Sequence, residues 1–332
     1  MLSQYGTQIS VREGRYFIKN KEHESYVPFH KVKSIILHSA TALTYEVIKV
    51  AIDNNIEILF VDKKGFPFSR VWSNQFGSIT TIRKNQLIFS SAPEGVEWIR
   101  ETLSQKGTNQ LLVLDLITHL TNQPNAVQTN KSKILLGIEK IKAYENINNG
   151  ETFASFRGFE GSMSRNYFQA LSNLIPEKYK FDKRSQHPAF DGFNCLLNYA
   201  YGMLYGTCES ALIKAGIDPY IGIMHRDEYN RPVFVYDFIE QFRHWADYVV
   251  CHLCIQGIID TDFFDISESQ DGRHSEKPYL LNSIGKRILI QSFNDYLNEL
   301  IHVNGLSRSR LNHIELTAQK TATIFKNFSP LN

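Results

Sequence analysis

Three polar interruptions in the second half of this sequence carry residue types able to do chemistry. The first is Phe159-Glu160-Gly161-Ser162-Met163-Ser164-Arg165-Asn166-Tyr167-Phe168. Glu160 reads as an acid at the start of a helix, where free N–H groups and the dipole favour a carboxylate. Taken alone it is a plain first-turn acid, with Ser162 as a cap and Arg165 as its partner. The second is Gly222-Ile223-Met224-His225-Arg226-Asp227, where His225 is either a satisfied structural histidine or, as a neutral imidazole, a ligand for a transition metal. The third, Val233-Phe234-Val235-Tyr236-Asp237-Phe238-Ile239-Glu240-Gln241-Phe242-Arg243, reads as a strand-like run feeding a helix. Its spacing puts Asp237 and Glu240 on one face near the positive end of that helix. The plain alternative is a solvated acidic turn with Glu240 paired to Arg243. As a set, Glu160, His225, Glu240 and Asp237 offer hard oxygens and one imidazole, which suits Mg²⁺ or Mn²⁺ and poorly suits a thiolate-type zinc site. Such an ion polarises a phosphoryl oxygen and activates a hydroxyl or water.

The elements that must position these groups fall into two blocks. Gln8–Arg12 and Tyr16–Lys19 flank Glu13-Gly14-Arg15 as a hairpin. Ser34–His38 and Glu57–Val61 read as buried strands, with a helix over Tyr45–Ile52 between them, capped by Thr44 and stopped at Asn54-Asn55. Lys63-Lys64-Gly65 turns the chain into a further β-rich run. Later the period becomes helical over Leu111–Leu120, Lys131–Ile147, Ser162–Leu174, Phe193–Ala215, Asp237–Ile259 and Leu281–Val303. The expectation is an α+β chain: a small N-terminal β-sandwich-like domain with one helix over residues 1–78, a linker over 79–95, and a larger all-α catalytic domain over 96–332. Cys251 and Cys254 resemble half a zinc site, but no second pair completes it, so they read as small apolar groups on a buried helix.

Composition sets outer limits. The 332 residues are 42% hydrophobic and 21% charged, as in ordinary globular proteins. No run approaches the ~20 apolar residues needed to cross a bilayer, and the first residues lack a signal-peptide pattern, so no membrane association and a cytoplasmic location are expected. Net charge is only +2. Residues 1–87 hold 12 Lys and Arg against 7 Asp and Glu, whereas 260–276 hold six acidic residues. A nucleic acid would therefore have to bind a local patch rather than follow a strong overall field.

Residues 159–168, the segment His187-Pro188-Ala189-Phe190-Asp191-Gly192-Phe193-Asn194 continuing to Tyr201, Gly216–His225 and Arg231–Arg243 resemble four motifs of the CRISPR-associated spacer-acquisition integrase and endonuclease family, in the family's order. The resemblance implies that Glu160, His225 and Glu240 are catalytic metal ligands for Mg²⁺ or Mn²⁺. It makes Asp237 an auxiliary acid and Arg165, Tyr167 and Asn194 supporting or DNA-positioning residues. It further implies a homodimer formed through the β domain, a complex with the second-numbered adaptation Cas protein, and double-stranded DNA as substrate. In that reaction a spacer 3′-hydroxyl attacks a repeat phosphodiester. The β domain's basic residues, such as Lys31, Lys33, Lys63, Lys64, Arg83 and Lys84, are the expected phosphate contacts. Two other readings remain open at this stage: a structure-specific nuclease of branched DNA, and a non-catalytic DNA-binding scaffold.

Overall fold

The computed structural model describes residues 6–38, 41–54, 56–61, 67–71, 79–123, 125–145, 149–186, 188–266, 277–303 and 305–329. Lys63, Lys64, His187 and most of the acidic segment 260–276 lie outside them. The chain divides into two compact units, Met1–Phe76 and Gly77–Asn332.

In the first unit, β1 (Gln8–Arg12) and β2 (Arg15–Lys19) form an antiparallel pair in which Arg12 faces Arg15. The two-residue loop between them needs positive φ at both positions, and Glu13 and Gly14 adopt 49° and 67°. β3 (Glu24–Pro28) extends the sheet beyond β2. A second sheet begins with β4 (Ser34–His38), while β5 (Ala42–Leu43) returns parallel to β1, giving the order β3-β2-β1-β5. Helix α1 (Tyr45–Asp53) follows, with Thr44 at its N-cap position but without a side-chain capping bond. Asn54 closes it by donating from Nδ2 to the Val50 carbonyl at 2.8 Å. The crossover delivers β6 (Glu57–Val61) parallel to β4, and β7 (Pro67–Val71) pairs antiparallel to β6. Ile9, Tyr16, Ile35, Leu37, Val47, Ala51, Ile56 and Ile58 make a core belonging to this unit alone.

The second unit starts earlier than expected. Residues 79–95 are not a linker, because α2 (Thr80–Phe89) lies within them and packs into the unit. Its buried Gln86 donates to the carbonyls of Asp218 and Ile221 at 2.8 and 3.0 Å, and Asn85 donates to those of Phe325 and Phe328 at 2.9 and 2.8 Å. Arg83 and Lys84 therefore sit on this helix and not on the β unit. α3 (Pro93–Leu120) starts with proline at its first turn, where no intrahelical N–H bond is lost. It packs against α4 (Gln128–Lys142) and α5 (Asn149–Leu174). α6 (Gly192–Lys214) is N-capped by Asp191, which accepts from the Asn194 backbone at 2.7 Å.

The strand-like run at 233–235 is the buried first turn of α7 (Val233–Ile239), and the expected long helix over 237–259 breaks at Glu240-Gln241-Phe242 before α8 (Arg243–Ile255). Two short antiparallel ladders depart from an all-α domain. They pair β8 (Phe264–Ile266) with β9 (Tyr279–Leu281) before α9 (Ser283–Asn298), and β10 (Leu300–Val303) with β11 (Leu306–Ser309) before α10 (Arg310–Asn327). The architecture remains a small β-rich unit followed by a mostly helical one. No helix among the described residues is long and apolar enough to cross a membrane.

Candidate active site

The site is built where α3, α5 and the break after α7 meet. Along α3, Val96, Ile99, Leu103, Gln110, Val113, Leu114 and Ile117 form one buried stripe, and Lys106 occupies a position within it at 8% exposure. The next residue, Gly107, lets α3 approach its neighbours. A Cβ there would stand 2.6 Å from Ile138 and 3.3 Å from the sulfur of Met163, and a Cβ on Gly137 of α4 would collide with Met163. Met163 thus fills the seam among three helices and brings Glu160, one turn earlier on α5, within reach of Lys106.

Glu160 is in the middle of α5, not at the start of a helix, so the dipole does not explain it. Its partner is not Arg165. Glu160 Oε1 accepts from Lys106 Nζ and from Ser164 Oγ, the latter at 2.7 Å. Glu240 lies just past the C-terminal end of α7 and reaches the same ammonium, with Oε2 2.6 Å from Lys106 Nζ. This contact is an ion pair, and no second donor reaches the buried Oε2. Glu240 Oε1 accepts from Arg243 Nε at 2.8 Å, the pairing considered from sequence. Burial works against the Glu240 carboxylate, but Arg243 and Lys106 outweigh it and hold its pKa at about 2. Burial likewise opposes the Lys106 ammonium, and the charges of Glu240 and Glu160 still leave its pKa above the ordinary value.

Asp237 lies near the negative end of α7 rather than its positive end, and it is fully buried. It organises the loop that carries His225. Its Oδ2 accepts from the backbone of Ile223 and Met224 at 2.7 and 3.1 Å, and its Oδ1 accepts from the His225 backbone at 3.3 Å. The His225 ring sets Nδ1 2.6 Å from Asp237 Oδ1. A ring nitrogen bound to a carboxylate carries the hydrogen, so Nε2 keeps the lone pair in the neutral ring. Burial lowers the His225 pKa, but the bond to Asp237 and its charge raise it above the usual value overall. Glycine is required at 222, where a Cβ would stand 2.7 Å from the His225 carbonyl oxygen and 2.9 Å from Val233.

A cavity of about 620 Å³ opens onto Lys106, Glu160 and Glu240 and is rimmed by Arg165, Arg184 and Arg243. Asn194 works through Arg184: its Oδ1 accepts from that guanidinium, and its Nδ2 donates to the Lys183 carbonyl at 3.0 Å. Tyr167 is buried and donates to Asp247 Oδ2 at 2.9 Å, while Tyr201 donates to Asp247 Oδ1 at 2.6 Å. His225 does not border the cavity. Two of the three expected ligands thus meet on one ammonium, and the third is close enough for the charge of Glu240 to raise its pKa. Among the described residues, no three His, Cys, Asp or Glu side chains stand close enough to hold a metal as they lie. The donor chemistry nevertheless fits a hard divalent ion, with two carboxylates that already share one cation and an imidazole Nε2. Lys106, Arg184, Tyr201 and Asp247 were not anticipated. For Lys106 and Gln110 the signal was present, since both fall on the apolar stripe of α3.

The four cysteines are free and buried, Cys251 and Cys254 among them on α8, as the apolar reading expects.

This architecture and cluster define a two-part chain with a β-rich first unit and a helical second unit that carries an acid–lysine–acid site. Its fold is shared, at 21% identity and TM-score 0.79, with a casposase bound to integration product, over 98% of this chain and 90% of that one. It is shared with a Cas1 protein from Thermotoga maritima at 17% identity and TM-score 0.76, over 98% and 97%. The model of the family described as CRISPR associated protein Cas1 matches residues 1–295, and the chain belongs to the Cas1 family. A relative named CRISPR-associated endonuclease Cas1 1, from Archaeoglobus fulgidus, is 27% identical over 75% of this chain and 76% of its own length. Another, CRISPR-associated endonuclease Cas1 from Nanoarchaeum equitans, is 25% identical over 92% and 90%.

Proposed function

We propose that this chain is a metal-dependent DNA integrase and endonuclease of CRISPR adaptation, inserting short duplex fragments into the array by 3′-hydroxyl attack on a repeat phosphodiester. The observation that carries the reading is the meeting of Glu160 and Glu240, far apart in sequence, at the mouth of an arginine-rimmed cavity. In this reading Glu160, Glu240 and Nε2 of His225 hold Mg²⁺ or Mn²⁺. When bound, the ion supplies Lewis-acid stabilisation of phosphoryl charge and lowers the pKa of the attacking hydroxyl. Asp237 keeps the His225 ring in one tautomer and orientation. Arg243 fixes the Glu240 carboxylate, and Asn194 fixes Arg184. Arg165 and Arg184 line the cavity and, in this reading, contact phosphates without reading sequence.

The relatives' names and a solved Cas6-RT-Cas1–Cas2 complex, which shares the fold at TM-score 0.75 over 100% of this chain and 36% of that one, support a Cas2 partner. Double-stranded DNA as substrate and assembly as a homodimer through the β unit belong to the same reading.

With a 3′-hydroxyl duplex, a repeat-bearing plasmid and Mg²⁺ or Mn²⁺, Glu240→Gln and His225→Ala should each lower strand transfer by more than about a hundredfold with an unchanged circular-dichroism spectrum. Undiminished joining by either variant removes the assignment. The endonuclease names favour hydrolysis as the competing activity, and cleaved plasmid with no joined product would establish it in place of integration.

A further inference from the structure

Lys106 is the member of the cluster that phosphoryl transfer by itself does not call for. Lysine is seldom buried without a paired charge, and this one is 8% exposed between carboxylates supplied by two different elements. Counted as ionised, Glu160 and Glu240 carry two negative charges, and Lys106 and Arg243 carry two positive ones, so the cluster is already neutral. Without Lys106, the buried Glu240 and the half-buried Glu160 carboxylates would face each other with a single guanidinium to offset them, an arrangement that repulsion and desolvation both disfavour.

We propose that Lys106 is a resident cation that holds Glu160 and Glu240 together until a divalent ion binds, and that competes with that ion for both carboxylates. The inference rests on the metal-dependent reading of the same site. Three features support exchange rather than a permanent bridge. The ammonium is held by the two carboxylates, through a hydrogen bond to Glu160 and an ion pair to Glu240, so a divalent ion that takes both carboxylates takes over the same two contacts. Each carboxylate keeps another partner, Ser164 for Glu160 and Arg243 for Glu240. Lysine is a single point charge on a flexible stem, unlike the planar fork of arginine, and Lys106 borders the cavity, which gives the displaced ammonium room.

The test uses the full chain, comparing wild type with Lys106→Met and Lys106→Arg, by calorimetric titration with Mn²⁺ alone and by thermal melting in EDTA and in Mn²⁺. The expected result is that Lys106→Met binds Mn²⁺ about tenfold or more tightly, because a like charge beside the ion has gone. Its Tm should fall in EDTA and rise with Mn²⁺ by more than the wild-type rise. Lys106→Arg should bind no more tightly than wild type. A Lys106→Met affinity equal to or below that of a wild type that does bind Mn²⁺ overturns the proposal and leaves the metal-dependent reading standing. Absence of Mn²⁺ binding by both overturns the two together. Should Lys106→Met fail to fold in EDTA, refolding on Mn²⁺ addition supports the proposal, and failure to refold overturns it.

Discussion

Asp247 is buried on the cavity wall and accepts a hydrogen bond from each of Tyr167 and Tyr201. Burial raises its pKa, and the two tyrosines and the nearby Arg184 and Arg243 limit the rise, leaving it at about 6 against 3.8 unperturbed. A raised acid in the folded state means that the native protein holds a proton the unfolded chain has lost between those two values. Stability from this residue is therefore greatest below about pH 4 and declines as pH climbs through about 6, by roughly 3 kcal/mol in all. Asp247→Asn cannot ionise, so its melting temperature should lack this decline. Melts from pH 4 to pH 7 should show the variant's Tm gaining on wild type as pH rises, and parallel profiles would refute the assignment. At the same scale, the residue types of the site were legible from their motifs, but their electrostatics were not. Glu160 and Asp237 look like helix-start acids when neighbours along the chain are the only neighbours known. Lys106 looks solvated until the α3 stripe is followed through Leu103, Lys106 and Gln110 into Val113.

Helix packing decides how close the charged groups come. Gly107 and Gly137 both stand against Met163, whereas Gly158, on the same helix as Glu160, has nothing within 4 Å of where a Cβ would be. Alanine at 158 should stabilise the chain by up to about 1 kcal/mol through helix propensity alone. Alanine at 107 meets Ile138 and Met163 and should cost about 1–3 kcal/mol through overpacking, with strand transfer falling as Lys106 and Glu160 are pushed apart. Urea unfolding of the two variants separates them by sign. The sequence period located most of these helices but misjudged their ends. The helix assigned to 162–174 begins at Asn149, and the one assigned to 237–259 breaks at Glu240. Three apolar residues in a row at 233–235 suit a buried helix turn as well as a strand, and periodicity over so few residues cannot separate them. The polar face of α2 hid a helix inside an apparent linker, because Gln86 and Asn85 hold it through carbonyl contacts to distant segments.

At the scale of the molecule, the two cores share no residue. One is built from Ile9 to Ile58, the other from Ile82 to Phe325. Each unit thus carries its own cooperative interior, and scanning calorimetry should resolve two transitions, the smaller enthalpy belonging to the β-rich unit. A single transition with equal calorimetric and van't Hoff enthalpies would show that the units melt as one. The division into a small β part and a large helical part was legible because the hydrophobic period changes from two to 3.6. The short ladders after residue 263 were not, since strands of three or four residues leave almost no periodic trace.

The cysteines extend this picture to reactivity. Cys195, Cys208, Cys251 and Cys254 are all interior to the helical unit, and burial raises every thiol, Cys195 to about 12. Sulfur attacks electrophiles as thiolate, so in the native chain these side chains are silent toward maleimides and mild oxidants. Labelling has to wait for the helices to part, and its rate therefore becomes a clock for the opening of the unit that houses the acid–lysine–acid cluster.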